Sequence, residues 1–187
     1  MEHWEYLKPD GLRFVWDDTL FRPGTDSFLL SSLPKLSAGL RVCDLGCGTG
    51  LVGLLLLQRQ SELTVTGIDI QPAAVALAER AAAENRLTDR LTFRCIDLRQ
   101  VRQHFSTGSF DLVVCNPPYY PPGSGHLRRE DSLSIARSEL MCSLDALCAA
   151  AARALRWGGR FFLVHKPERL ADLMVFLRAA RLEPKRI

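Results

Sequence analysis

Three aspartates, a run of alternating glycines and an asparagine followed by two prolines are the residues of this chain whose types and spacing could do chemistry. The segment Arg41-Val-Cys-Asp-Leu-Gly-Cys-Gly-Thr-Gly50 reads as a strand running into a glycine turn that opens a helix. Such a turn lets bare backbone approach a nucleotide-like, adenosine-containing ligand closely. Two registers fit it. Gly48-Thr-Gly50-Leu-Val-Gly53 matches G-x-G-x-x-G, with Asp69 lying 21 residues after Gly48, near the dinucleotide spacing. The other register is Asp44-x-Gly46-x-Gly48-x-Gly50. A carboxylate at the end of the first strand would repel a pyrophosphate and attract the cationic amino-acid end of S-adenosylmethionine, so Asp44 favours the second register.

Asp69 closes Gly67-Ile68-Asp69 and is placed to accept hydrogen bonds from both hydroxyls of a ribose, because an ionised carboxylate offers two acceptor oxygens. Asp97, in Cys95-Ile96-Asp97-Leu98, can accept from the exocyclic amine of an adenine lying across the strand ends. Ile70 and Leu98 are the neighbours expected beside that adenosine. The competing role for either aspartate is the cap of the helix that follows.

Cys115-Asn116-Pro117-Pro118-Tyr119-Tyr120 is the most informative stretch, since an amide, two prolines and an aromatic at a strand's carboxyl end form a rigid ledge beside such a crevice. A planar NH2 group delocalises its lone pair and is a poor nucleophile. If the Asn116 side-chain oxygen and the Pro117 carbonyl accept its two N–H bonds, the lone pair is turned toward a sulfonium methyl, while Tyr119 holds the planar substrate by stacking. No general base is needed before attack, in keeping with the lack of any Ser/His/Asp or Cys/His set.

The elements that must position these groups alternate from residue 40 onward, which predicts a parallel α/β sheet. Strands are expected at Leu40–Leu45, Leu63–Ile68, Leu91–Ile96, Phe110–Cys115 and Gly159–His165. Helices are expected at Leu51–Arg59, Pro72–Asn85, Arg99–Phe105, Ser138–Arg156 and Pro167–Ala180. Residues 1–39 concentrate Trp4, Tyr6, Phe14, Trp16, Phe21 and Phe28 between the turn signals Pro9-Asp10-Gly11 and Pro23-Gly24. They are expected to form a cap of the same domain, packed on the sheet of a core spanning 40–187.

Composition narrows the function classes. The 187 residues are 47% hydrophobic and 24% charged, as expected of an ordinary folded domain. The longest apolar runs, Leu51 to Leu57 and Ala146 to Ala152, are far short of the roughly 20 residues of a membrane span. No apolar segment near the N-terminus reads as a secretory signal, so a cytoplasmic protein is expected. The six cysteines are dispersed through apolar segments without a C-x-x-C pair, and the four histidines stand apart, which predicts reduced thiols and no metal site. Net charge is +3, but residues 1–34 hold three basic and six acidic groups whereas 153–187 hold nine and three. That asymmetry permits a polyanion on one face. Nothing in the sequence sets an oligomeric state.

Asp-Leu-Gly-Cys-Gly-Thr-Gly, Ile-Asp-Ile, Asp97 and Asn-Pro-Pro-Tyr resemble the class I S-adenosylmethionine-dependent methyltransferases that act on exocyclic amines or amides. Within them the chain is most similar to the bacterial tRNA1(Val) adenine N6-methyltransferase family. Phe21-Arg-Pro-Gly-Thr-Asp-Ser-Phe-Leu-Leu30, Ala136-Arg137-Ser138-Glu139, Val164-His-Lys-Pro-Glu-Arg-Leu170 and Glu183-Pro-Lys-Arg186 extend the likeness over nearly the whole chain. The resemblance implies a Rossmann-like fold with helices on both faces, S-adenosylmethionine as cofactor and the N6 amine of an adenine in tRNA as acceptor. It implies catalytic roles for Asn116, Pro117 and Tyr119. Tyr120, Arg128, Arg129, Lys185 and Arg186 are the substrate-side candidates, the four basic residues as phosphate contacts. Cys47 departs from the usual glycine-loop pattern, and the final two-stranded hairpin of the fold is expected to be missing. The rival functions are methylation of a protein glutamine amide, which uses the same Asn-Pro-Pro-Tyr logic, and a dinucleotide-binding module without methyl transfer.

Overall fold

A computed structural model of the chain describes residues 1–20, 24–117 and 143–187. Five strands form the central sheet: β3 (Arg41–Leu45), β4 (Thr64–Asp69), β5 (Leu91–Cys95), β6 (Phe110–Cys115) and β7 (Leu155–Leu163), in the order β5-β4-β3-β6-β7 with every pair parallel. The chain leaves β3 toward β4 on one side and returns to β6 on the other. That reversal makes the carboxyl end of β3 the switch point, where open α/β sheets bind ligands.

Alternation along the strands divides the core between two faces, as a period of two requires. Val42, Val65, Leu112 and Val114 join one cluster, while Cys43, Leu45, Val113 and Cys115 join the other. On the first face lie α2 (Leu51–Arg59) and α3 (Pro72–Glu84). The second carries the short α4 (Val101–His104), α5 (Leu144–Ala154) and α6 (Leu170–Ala179).

Every residue of α2 from Leu51 to Leu57 is buried. A helix that is apolar all round must be covered on its outer side as well as against the sheet. The N-terminal segment supplies that cover. Its hairpin, β1 (Glu2–Tyr6) with β2 (Arg13–Asp17), turns through Pro9-Asp10-Gly11 and leads to α1 (Thr25–Ser32), which packs on α2. The Arg59 guanidinium at the end of α2 donates to the Ser31 carbonyl and, at 3.0 Å, to the Pro34 carbonyl, filling acceptors the end of α1 leaves open. At the end of α3 the Asn85 amide pairs with both backbone groups of Arg13, at 2.8 and 2.7 Å. The expected cap therefore seats on helices α2 and α3, and it reaches the sheet edge where the Arg160 guanidinium of β7 donates to the Lys35 carbonyl at 2.7 Å.

Strands β3 to β6 and the first two core helices lie within a residue of their expected positions. β7 differs: it begins at Leu155, not Gly159. Gly158-Gly159, just past the expected helix end at Arg156, is a kink inside the strand, with Gly158 at φ 70° and a register shift opposite Phe110 and Leu112. The helix expected at Ser138–Arg156 is described as Leu144–Ala154; residues 138–142 lie outside the described part.

Candidate active site

The crevice at the carboxyl ends of β3 and β6 is lined by Ser27, Gly46, Gly48, Thr49, Gln71 and Asn116, among others. Gly46 and Gly48 sit at φ 72° and 52°, in the left-handed region that glycine enters without a side-chain clash. A Cβ on either would meet nothing within 4 Å. The loop thus presents bare backbone to open space, as a ligand lying against it requires. The amides of Gly46 and Cys47 donate to the Ile68 carbonyl at 2.9 and 3.0 Å, tying the loop to the end of β4. Gly50, at φ 83°, begins α2 beneath the Phe93 ring, which a Cβ there would meet at 2.5 Å.

Asp69 finishes the clamp. Gly48 N–H donates to its Oδ2 and Gln71 N–H to its Oδ1, each at 2.9 Å. It is 8% exposed; burial raises its pKa above the ordinary carboxylate range, while the backbone donors pull the other way. The carboxylate placed by sequence at the ribose is therefore also the strut of the glycine loop, with backbone donors from Gly48, Ile70 and Gln71 already on it.

Asp44 lies at the end of β3, as expected, and its side chain is buried. It points to the same face of β3 as Val42, toward α2, and is 1% exposed beneath the loop, outside the residues that line the crevice. Gly53 N–H donates to it, and its Oδ2 has no partner among the described residues. Burial, then the charge of Asp69, pushes its pKa up to about 7.

Asp97 takes the capping role. It accepts from Arg99 N–H at 2.9 Å and binds the Arg99 guanidinium with both oxygens. That ion pair lowers its pKa, and the bonds turn the carboxylate back on its own chain. Ile70 and Leu98 are half-buried at the neighbouring strand ends. Cys47, the departure in the loop, packs against Gly67, where a Cβ would meet its sulfur at 2.8 Å. Burial raises the Cys47 thiol pKa, and the charges of Asp44 and Asp69 add to this, so the thiol stays protonated.

Asn116 follows β6 directly and faces the loop across the crevice, with Pro117 buried behind it. Its side-chain Nδ2–H donates to Ser27 Oγ at 3.1 Å. Ser27 is 7% exposed, and sequence reasoning missed it, because a serine 89 residues away carries no local signal of that pairing. Pro118, Tyr119, Tyr120, Arg128 and Arg129 lie outside the described residues. Lys185 and Arg186 are exposed near the C-terminus and do not line the crevice. No group of three or more His, Cys, Asp or Glu able to hold a metal occurs among the described residues.

Residues 17–174, running from the hairpin to α6 and so through the whole crevice, match the methyltransferase small domain. The chain belongs to the methyltransferase small-domain family. Two family relatives carry the name tRNA1(Val) (adenine(37)-N6)-methyltransferase. The protein of Enterobacter sp. is 32% identical over 90% of this chain and 70% of its own length. That of Porphyromonas gingivalis is 33% identical over 94% and 71%. The crystal structure of TrmN from Thermus thermophilus superposes with a TM-score of 0.58 at 23% identity, covering 84% of this chain and 40% of that one. It shares the Rossmann-like methyltransferase fold. No helix among the described residues is long and apolar enough to cross a membrane.

Proposed function

We propose that this chain is an S-adenosylmethionine-dependent N-methyltransferase acting on the N6 amine of an adenine in tRNA. The observation that carries the reading is Asn116 at the end of β6, facing a glycine loop whose backbone is open to a ligand. The names of the relatives direct the choice of acceptor to adenine in tRNA.

The residues fit the cofactor. Gly46 and Gly48 offer uncovered backbone, and Asp69, with three backbone donors on it, keeps acceptor capacity for a ribose hydroxyl. The chemistry supplied by bound S-adenosylmethionine is a methyl on sulfonium sulfur: the C–S bond breaks with its electron pair staying on sulfur, the N–C bond forms, and the amine loses one proton to water. The protein's part is orientation. Asn116 Oδ1 and the Pro117 carbonyl accept the amine's two N–H bonds, which turns the nitrogen lone pair out of the ring's conjugation. Tyr119 stacks on the base, and Arg128, Arg129, Lys185 and Arg186 set the RNA backbone in place. Such an enzyme acts in the cytoplasm.

Two measurements test this. S-adenosylmethionine, and not NAD, should raise the melting temperature. Labelled methyl should pass from the cofactor into unmodified tRNA, and not into a release-factor glutamine. Stabilisation by NAD alone, or label in the protein substrate alone, overturns the reading.

A further inference from the structure

We infer that Ser27 is a positioning residue for Asn116: the bond from Nδ2–H to its Oγ helps hold the Asn116 amide with Oδ1 toward the acceptor nitrogen. The two ends of an asparagine amide are nearly the same size, so a half-turn of the amide exchanges oxygen for NH2 at almost no steric cost. Hydrogen bonds hold the amide in one of the two orientations, and the bond to Ser27 Oγ is one of them. With Nδ2–H held on Ser27 Oγ at 3.1 Å, Oδ1 occupies the opposite prong of the amide. The flipped state would present a donor to an amine that needs an acceptor.

Ser27 is itself held. Its backbone N–H donates to the Gly24 carbonyl at 3.3 Å, and Leu30, one turn on, is fully buried. Arg59 fastens the far end of α1 to α2 through the Ser31 and Pro34 carbonyls. The hydroxyl therefore reaches Asn116 from an element anchored independently of β6. The N-terminal segment completes the site as well as covering α2.

This inference rests on the role proposed for Asn116, and its test separates the two. Ser27→Ala should lower kcat for tRNA methylation about five- to ten-fold, the value of one hydrogen bond, with the affinity for S-adenosylhomocysteine within about two-fold of parent. Ser27→Thr, which keeps the oxygen, should recover most of the rate. In an Asn116→Ala background Ser27→Ala should cost nothing further, because the group it acts through is gone. Hydrogen exchange of the Asn116 side-chain NH2, followed by NMR with S-adenosylhomocysteine bound, should speed up in Ser27→Ala. A weakened cofactor affinity with unchanged kcat, additive losses in the double variant, or NH2 exchange indifferent to Ser27 would each overturn the inference. If the parent protein methylates no tRNA, the function proposed above fails, while the exchange measurement still decides the Ser27 pairing.

Discussion

Asp44 and Asp69, at the carboxyl ends of β3 and β4, are held in the opposite way to Asp111 at the amino end of β6. At the carboxyl ends of the strands Asp44 and Asp69 are buried, contacted by backbone amides and shifted upward in pKa. At the other end Asp111, on β6, accepts from Arg41 N–H at 2.8 Å and from the Arg156 guanidinium at 2.5 Å. Burial works against its ionisation, but these donors more than offset it and its pKa lies below the ordinary value. Charges that only hold strands together are best neutralised by arginine. Asp44 and Asp69 are left with neutral backbone donors, at some cost in stability of the free protein.

The largest effect should fall on the end that does chemistry. Asn116→Ala is expected to reduce turnover by about two to four orders of magnitude while cofactor affinity stays nearly intact, since the lost contact aligns the reacting nitrogen. Single-turnover kinetics and calorimetry check it, and near-parental turnover would remove Asn116 from amine activation.

Asp44 should reveal itself through pH. Its folded pKa of about 7 lies above the ordinary 3.8, so between those values the folded state holds a proton that the unfolded chain has released. Stability of the ligand-free protein should therefore fall as pH rises through that window. Asp44→Asn should flatten the profile, with the difference between variant and parent changing by on the order of 3 kcal/mol from pH 4 to 8. Parallel denaturation curves across that range would contradict it.

Asp69→Ala removes an acceptor for the ligand and the strut on Gly48 together. Affinity for S-adenosylmethionine should drop by about 1.5 to 3 kcal/mol, the range for hydrogen bonds to a charged group. Unchanged affinity in calorimetry would take Asp69 out of the site. Asp111→Asn should give the smallest change, a stability loss of about 1 to 2 kcal/mol at neutral pH with no effect on cofactor binding. Because the Asp111 pKa is depressed, the gap between parent and variant should close as pH falls below the ordinary carboxylate value. A cofactor-binding defect in this variant would erase the distinction between the two ends.

Local motifs made much of this legible in the sequence. A strand, a glycine turn and a helix announce themselves over ten consecutive residues, as do Asp69 at a strand end and Asn116 before two prolines. The contacts that the sequence did not show depend on burial, rotamers and the docking of distant segments. Asp44 faces α2 because its parity along β3 matches Val42, and its burial follows from the helix above it. Asp97 turns to Arg99 through a choice of rotamer that composition does not encode. The Ser27 hydroxyl meets Asn116 only after α1 has docked on α2. Gly158-Gly159 looks like a helix stop and serves as a strand kink, since glycine permits both.

Nucleoside mass spectrometry tests the central claim most directly: total tRNA lacking its natural modifications is incubated with the protein and deuterated-methyl S-adenosylmethionine, then digested. The account predicts labelled N6-methyladenosine with the parent protein and its near absence with Asn116→Ala. Label on another nucleoside, or equal N6-methyladenosine from both proteins, would contradict it.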